Sequence, residues 1–209
     1  MTERRRQVLT FVLFARFVVK FVFVPSTILS SLSAEFRRYK ALGDSALAQL
    51  EDAELALPGP NGGNSAAVLV WHIGGNLASR FTDFLTSDGE KAWRHRDEEF
   101  VQRAVTRHEV VEKWDAGWNA LFHALDALTD GHLQTTVTIR GQSIEVHDAL
   151  HRALAHISYH VGQIVYLAKS IRGDSWTCLT IPIGGSEAYN KNPINQDPGA
   201  HTAAMRSRT

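Results

Sequence analysis

A second cysteine is missing from this chain. Cys178 stands alone among 209 residues, so no disulfide can form within it, and that usage fits a reducing compartment. Beside Trp176 and Leu179, Cys178 reads as a small buried filler rather than a nucleophile. An excess of charge is missing too. The 22 Lys and Arg residues balance 22 Asp and Glu, which removes the global field that would draw the protein to nucleic acid or to an anionic membrane. No internal repeat of fixed period and no low-complexity stretch interrupts the interior, so a repeat array is not expected.

An uninterrupted apolar run of membrane-spanning length is also lacking. The nearest approach is Val8 to Val24, preceded by Arg4, Arg5 and Arg6. It is short of the roughly 20 residues a span requires, and Arg16 and Lys20 break it. Each of those charges costs a few kcal/mol at mid-bilayer. The small residues Ser30, Ser31, Ser33 and Ala34 behind the run give a loose likeness to a secretory or twin-arginine signal, which the same two charges oppose. The expected organisation is an apolar and basic extension over residues 1–26, one domain over 27–192 and a disordered tail over 193–209. The expected location is the cytoplasm. Membrane association or export would have to run through the N-terminal segment, and membrane contact arises only if residues 8–24 insert.

What the sequence does contain is amphipathic helix. From Thr27 to Leu57, Leu32, Phe36, Tyr39, Ala46 and Leu50 recur at helical spacing with Arg37, Arg38 and Lys40 towards water. The stretch ends at Pro58-Gly59-Pro60-Asn61-Gly62-Gly63, a concentration of turn-forming residues. A second helix, about Ser65 to Thr86 with Asn64 or Ser65 as its cap, places Val70, Ile73, Leu77, Phe81 and Phe84 inward. Gly74 and Gly75 lie in its interior, each about 1 kcal/mol worse than alanine there, which points to close approach by another backbone or a ligand. Between Ser87 and Val105 the charged run SDGEKAWRHRDEEF reads as a solvated loop anchored by Trp93 and Phe100. A loop of that length can also cover a site, which singles out Arg94, Arg96 and Asp97. Thr106-Arg107-His108-Glu109 has capping-box spacing and opens a third helix with Val110, Trp114, Trp118, Leu121, Leu125 and Leu128 on one stripe. Thr135 to Val146 alternates around Arg140-Gly141 as a small β-hairpin. After Arg172 the tail is expected to wrap the surface irregularly.

The hairpin leads into Val146 to Arg172, which holds four of the ten histidines. At about 100° per residue, Leu150, Ala153, Leu154, Ile157, Val161, Ile164, Ala168 and Ile171 form one apolar stripe. His160 lies within the edge of the stripe and His156 just outside it on the same flank, whereas His147 and His151 fall on the opposite flank nearer to solvent. An (i, i+4) pair has its Cβ atoms roughly 6 Å apart on one helix face, so both imidazoles can reach one ion. His72, on the flank of the second helix's stripe with Asn76 one turn later, can meet that pair if the helices pack side by side. His108 and His123 have no partner spacing. Three neutral imidazoles suit Zn²⁺, Ni²⁺ or Fe²⁺, and a three-histidine set leaves a coordination position open, as catalytic sites do. The helices imply an all-α fold, a four-helix bundle with the hairpin before its last helix.

Four stretches, FRRYKALGDSALAQL, NSAAVLVWHIGGNLASRFTDFLTSDGEKAWRHRDEEF, HISYHVGQIVYLAK and IPIGGSEAYN, resemble the DinB/YfiT-like metal-dependent hydrolase superfamily in its DUF1572 branch. The resemblance runs from about Ser31 to Asn192 and leaves out residues 1 to about 26. It implies an up-down-down-up bundle, homodimers, and a divalent metal on a second-helix histidine and a fourth-helix HxxxH, which correspond to His72, His156 and His160. Relatives in the superfamily include thiol-dependent S-transferases and isomerases that use low-molecular-weight thiols. Two functions are therefore expected as alternatives. One is a metal-dependent enzyme, a hydrolase or thiol transferase, that activates water or a low-molecular-weight thiol cosubstrate against a small-molecule electrophile. In it Asn76 would orient the substrate or a ligand, and Tyr159 would donate a hydrogen bond. The other is a non-catalytic metal-binding stress-response or dimeric interaction protein.

Overall fold

The computed structural model describes residues 27–193 and Ala200. The expected N-terminal extension, with its membrane and export readings, and most of the expected disordered tail lie outside the described residues. The chain is mostly helical: α1 (Ile28–Ala48), α2 (Ala66–Phe81), α3 (Arg107–Asp126), the strands β1 (Thr136–Ile139) and β2 (Gln142–Glu145), α4 (Val146–Arg172) and a short α5 (Ser186–Asn190). Among the described residues no helix is long and apolar enough to cross a membrane.

The starts of the first three helices follow from side-chain caps. Thr27 Oγ1 accepts the Ser30 N–H at α1, Ser65 accepts that of Val68 at α2, and Thr106 with Glu109 forms a reciprocal box at α3, satisfying N–H groups that have no intrahelical partner. The choice between Asn64 and Ser65 thus falls to Ser65. Two helices stop sooner than their apolar spacing suggests. The first ends at Ala48, not Leu57, because Glu51 is extended and caps a separate 3₁₀ turn, Asp52–Glu54. The second ends at Phe81, not Thr86. Thr82 is extended and Asp83 takes φ 51°, and the Asp83 carbonyl then accepts the Thr86 and Ser87 N–H groups to reverse the chain.

α2 lies along α3, α1 along α4, and α2 also meets α4. Phe36, Ile73, Leu77, Trp118, Leu121, Leu150, Ile157 and Ile164 are fully buried between them. The α2–α3 contact is backbone on backbone. A Cβ on Gly117 would come within 2.6 Å of Gly74 Cα, and one on Gly74 within 2.6 Å of the Lys113 carbonyl oxygen. That close crossing fixes where α2 presents His72.

The hairpin pairs Thr136 with Glu145 through Ile139 with Gln142, and Arg140 and Gly141 both take positive φ, as a two-residue I′ turn requires. Asp88 locks this turn by accepting the backbone N–H groups of Arg140 and Gly141, each at 2.8 Å. The Gly89 N–H donates to Thr138 at 2.8 Å. The charged connection after α2 is therefore bound to the hairpin, and it is not a wholly solvated loop: Arg94 and Glu99 are buried in it. Trp93, expected as an anchor, is exposed, whereas Phe100 packs inward against His72 with ring centroids 4.6 Å apart. The tail contains α5, which its sparse apolar residues did not announce. Cys178 is half-buried.

Candidate metal centre

α2 and α4 bring three imidazoles to one point. His156 Nε2 lies 3.1 Å from His72 Nε2 and 3.1 Å from His160 Nε2. The ligand atoms of all three lie within 4.8 Å of one another. His72 and His160 are buried and His156 is half-buried; on α4 this follows the place of His160 within the edge of the apolar stripe and of His156 just outside it. The rival pair is not assembled in this way. The His147 and His151 rings are 6.4 Å apart, and their Nδ1 atoms face the Leu133 and His147 carbonyls at 3.0 and 2.7 Å. His108 and His123 are exposed.

The outer nitrogens are held by specific partners. His72 Nδ1–H donates to Glu99 Oε2 at 2.9 Å, because an ionised carboxylate can only accept. His160 Nδ1–H donates to Gln163 Oε1 at 2.8 Å. Both rings consequently turn a bare Nε2 lone pair towards His156. His156 carries at most one Nε2 proton, so it can satisfy one of these two neighbours and not both. Whichever tautomer His156 adopts, at least one of the two 3.1 Å contacts sets lone pair against lone pair, which is repulsive unless a cation lies among the three nitrogens. For Zn–N bonds of about 2.0–2.1 Å in a tetrahedral array, two nitrogens would be about 3.3 Å apart, close to the 3.1 Å seen here. The donor set fits a divalent metal.

Burial first, then the nearby charges of His160, His72, Arg94 and Arg80, pushes the His156 imidazole down to about 4. Burial lowers His160 as well, with a further contribution from His72 and against the hydrogen bond to Gln163. Both groups are thereby neutral, and available as ligands, at pH 7. Burial alone would raise the Glu99 carboxyl, but hydrogen bonds from His72 and Arg94 outweigh it and hold it below its ordinary pKa.

Glu99 was not among the residues singled out from sequence. It orients His72 and is itself gripped by Arg94, whose Nε and Nη2 donate to Oε1 and Oε2 at 2.8 and 2.9 Å. A carboxylate behind a histidine ligand is the usual device for fixing tautomer and ring orientation. Its trace in the sequence was Gly75. A Cβ there would lie 2.1 Å from Glu99 Oε1, so the two mid-helix glycines answer two needs: Gly74 the α3 backbone, Gly75 this carboxylate.

A cavity of about 490 Å³ opens on the three histidines. Asn76 lines it, as its position one turn beyond His72 suggests. Arg94 and Arg96 also line it, but Asp97 does not; Asp97 is exposed. Tyr159 is exposed and faces a separate groove beside Gly162 and Tyr166, its ring lying edge-on to His160 at 4.8 Å.

The family model for DUF1572, described as a protein of unknown function, matches residues 24–185. This chain is a DUF1572 protein. The family is DinB/YfiT-like, in agreement with the resemblance carried by the four sequence stretches. No curated protein and no solved structure matches the chain. In this DUF1572 member the matched segment takes in all three histidines together with Glu99 and Gln163.

Proposed function

We propose that this DUF1572 protein is a metal-dependent enzyme that acts on a small electrophile, with a divalent cation held by His72, His156 and His160. The helices would form the up-down-down-up four-helix bundle of DinB-like proteins, with the metal between α2 and α4. The observation that carries this reading is the pair of 3.1 Å Nε2 contacts converging on His156, which one proton cannot satisfy. When bound, the cation would act as a Lewis acid that lowers the pKa of a water or a low-molecular-weight thiol, so that attack proceeds near neutral pH.

The remaining work falls to the chain itself. Glu99 and Gln163 keep the Nδ1 protons of His72 and His160 in place, so that both Nε2 atoms stay unprotonated. Phe100 covers one side of His72 and keeps that ring out of bulk water. Asn76, half-buried on the cavity wall, offers an amide that can orient a substrate. The cavity favours turnover over storage, because the three ligands face space of small-molecule size rather than packed side chains.

Metal analysis of purified wild type and His160→Ala tests the site. About one equivalent of divalent metal is expected in the wild type and a loss of most of it in the variant. Equal metal in both proteins refutes the proposed ligand set. Retained metal in the wild type without turnover, in a screen of hydrolysis and thiol transfer, would instead favour the non-catalytic reading.

A further inference from the structure

The wall around the three histidines is strongly cationic. Arg80, Arg94, Arg96, Arg140 and Arg152 all line the cavity, and no aspartate or glutamate does. Two carboxylates behind the wall offset part of this charge. Glu99 binds Arg94, and Glu90 accepts from both Arg80 and Arg140, at 2.9 and 2.8 Å. Arg96 lies 3.4 Å from Asp97, whose side chain is fully in solvent and screens it weakly. Arg152 has no ion pair or hydrogen bond among the described residues. Five guanidinium groups against Glu90 and Glu99 leave the cavity about three charges positive, in a chain that is neutral overall.

A second observation comes from within the wall. Arg94 is buried, its side chain only 2% exposed, yet its Nη1 has no hydrogen-bond partner, with Glu90 Oε2 4.0 Å from it. A buried guanidinium N–H without an acceptor is uncommon and costly. The Arg140 backbone, at φ 55°, is held in the left-handed region by Asp88, which fixes the hairpin tip at the cavity rim before any ligand arrives. Arg152 precedes His156 by one turn of α4, so the two side chains leave the helix from one face at points about 6 Å apart along its axis.

We infer that the cavity takes a small organic substrate carrying an oxyanion, a carboxylate or phosphate, which Arg152 and Arg140 hold while the reacting end lies at the three-histidine point. This inference names the substrate class of the site under the proposed function and rests on that reading. Guanidinium suits the task because its planar fork pairs with both oxygens of such a group. The cavity volume admits a small molecule and not a macromolecule. Arg152 and the three histidines line the same cavity, so one small molecule can reach both.

The test uses the full-length zinc-loaded protein, with metal content measured on every sample. Calorimetric titrations with inorganic phosphate, succinate and the neutral succinamide are run on wild type, Arg152→Gln and Arg152→Lys. Wild type is expected to bind succinate or phosphate, with affinity falling as salt rises, and not succinamide. Which of the two anions binds more tightly distinguishes a carboxylate from a phosphate substrate. Arg152→Gln should weaken binding about tenfold or more, and Arg152→Lys should recover only part of it, both with zinc unchanged. Arg152 is exposed, so neither variant disturbs the core. Zinc retained with no anion binding, succinamide binding as well as succinate, or unaltered affinity in Arg152→Gln overturns the inference and leaves the metal site standing. Loss of zinc in Arg152→Gln also overturns it, by placing Arg152 in the metal site's support. A wild type that takes up no zinc defeats the proposed function itself.

Discussion

Replacing Glu99 by glutamine alters the size of the side chain very little and disables it for both of its tasks. The carboxylate accepts three hydrogen bonds: Arg94 Nε on Oε1, and Arg94 Nη2 and His72 Nδ1 on Oε2. An amide has one acceptor oxygen and must point its NH₂ at a donor. If the oxygen takes the Oε2 position, the NH₂ meets the Arg94 Nε–H at a separation that was 2.8 Å. If it takes the Oε1 position, the NH₂ meets His72 Nδ1, and the imidazole must move its proton to Nε2, where it can no longer bind metal. Hydrogen bonds to charged groups contribute about 1.5–3 kcal/mol each. A buried ion pair stripped of one partner costs about 3–5 kcal/mol, and both side chains are more than nine-tenths buried. The amide retains some of these contacts, so a stability loss of about 2–4 kcal/mol is expected. Metal affinity should fall about 10–100-fold, the usual effect of removing a ligand's hydrogen-bond partner. Chelator competition measures the affinity, and denaturant titration of the metal-free protein measures the stability separately. A Glu99→Gln protein that binds metal within twofold of wild type refutes the claim that this carboxylate sets the His72 tautomer.

Gly75→Ala would ordinarily gain about 1 kcal/mol in a helix interior, but its Cβ would lie 2.1 Å from Glu99 Oε1. A net destabilisation of about 1–3 kcal/mol and weaker metal binding are therefore expected, and a stabilised variant with full metal affinity contradicts the packing. Gly117→Ala drives a Cβ to 2.6 Å from Gly74 Cα, where only the backbone can yield. It should destabilise by about 3 kcal/mol or more in a urea melt, and a loss below 1 kcal/mol would show that α2 and α3 are not so close. The metal-free protein should lose stability with acid. His156 titrates at about 4 when folded, against 6.5 in an unconstrained chain. Between those values the unfolded state therefore binds the proton and the folded state does not. Its contribution is fully present above pH 6.5 and is lost as pH falls towards 4, by about 1–3 kcal/mol once the partial exposure of His156 is allowed for. His156→Ala should flatten that part of the profile, and identical slopes in the two proteins would be the contrary result.

The fold was legible where local physics dominates. The starts of α2 and α3 were marked by caps, Ser65 at one and a complete Thr106–Glu109 box at the other. The α4 bounds, Val146–Arg172, follow from an unbroken apolar stripe. Helix ends were less legible. Apolar spacing continues past Ala48 and Phe81, and only the extended Glu51 and Thr82 and the left-handed Asp83 stop it. The site divides in the same manner. His156 and His160 are one turn apart on one helix, so their adjacency is a property of the chain. Glu99 is 27 residues from His72, in a run whose charge reads as solvated.

By itself, then, the sequence determined which residues could become ligands, because side-chain type and helical period are local quantities. It also marked Gly74 and Gly75 as places where something must come close. The tertiary structure alone decided what came: the α3 backbone at one, the Glu99 carboxylate at the other. It likewise decided that arginines from α2, the connection, the hairpin tip and α4 face a single cavity. Such convergence depends on how rigid elements cross. A crossing is set by the sum of many small packing contacts, and no short stretch of residues encodes it.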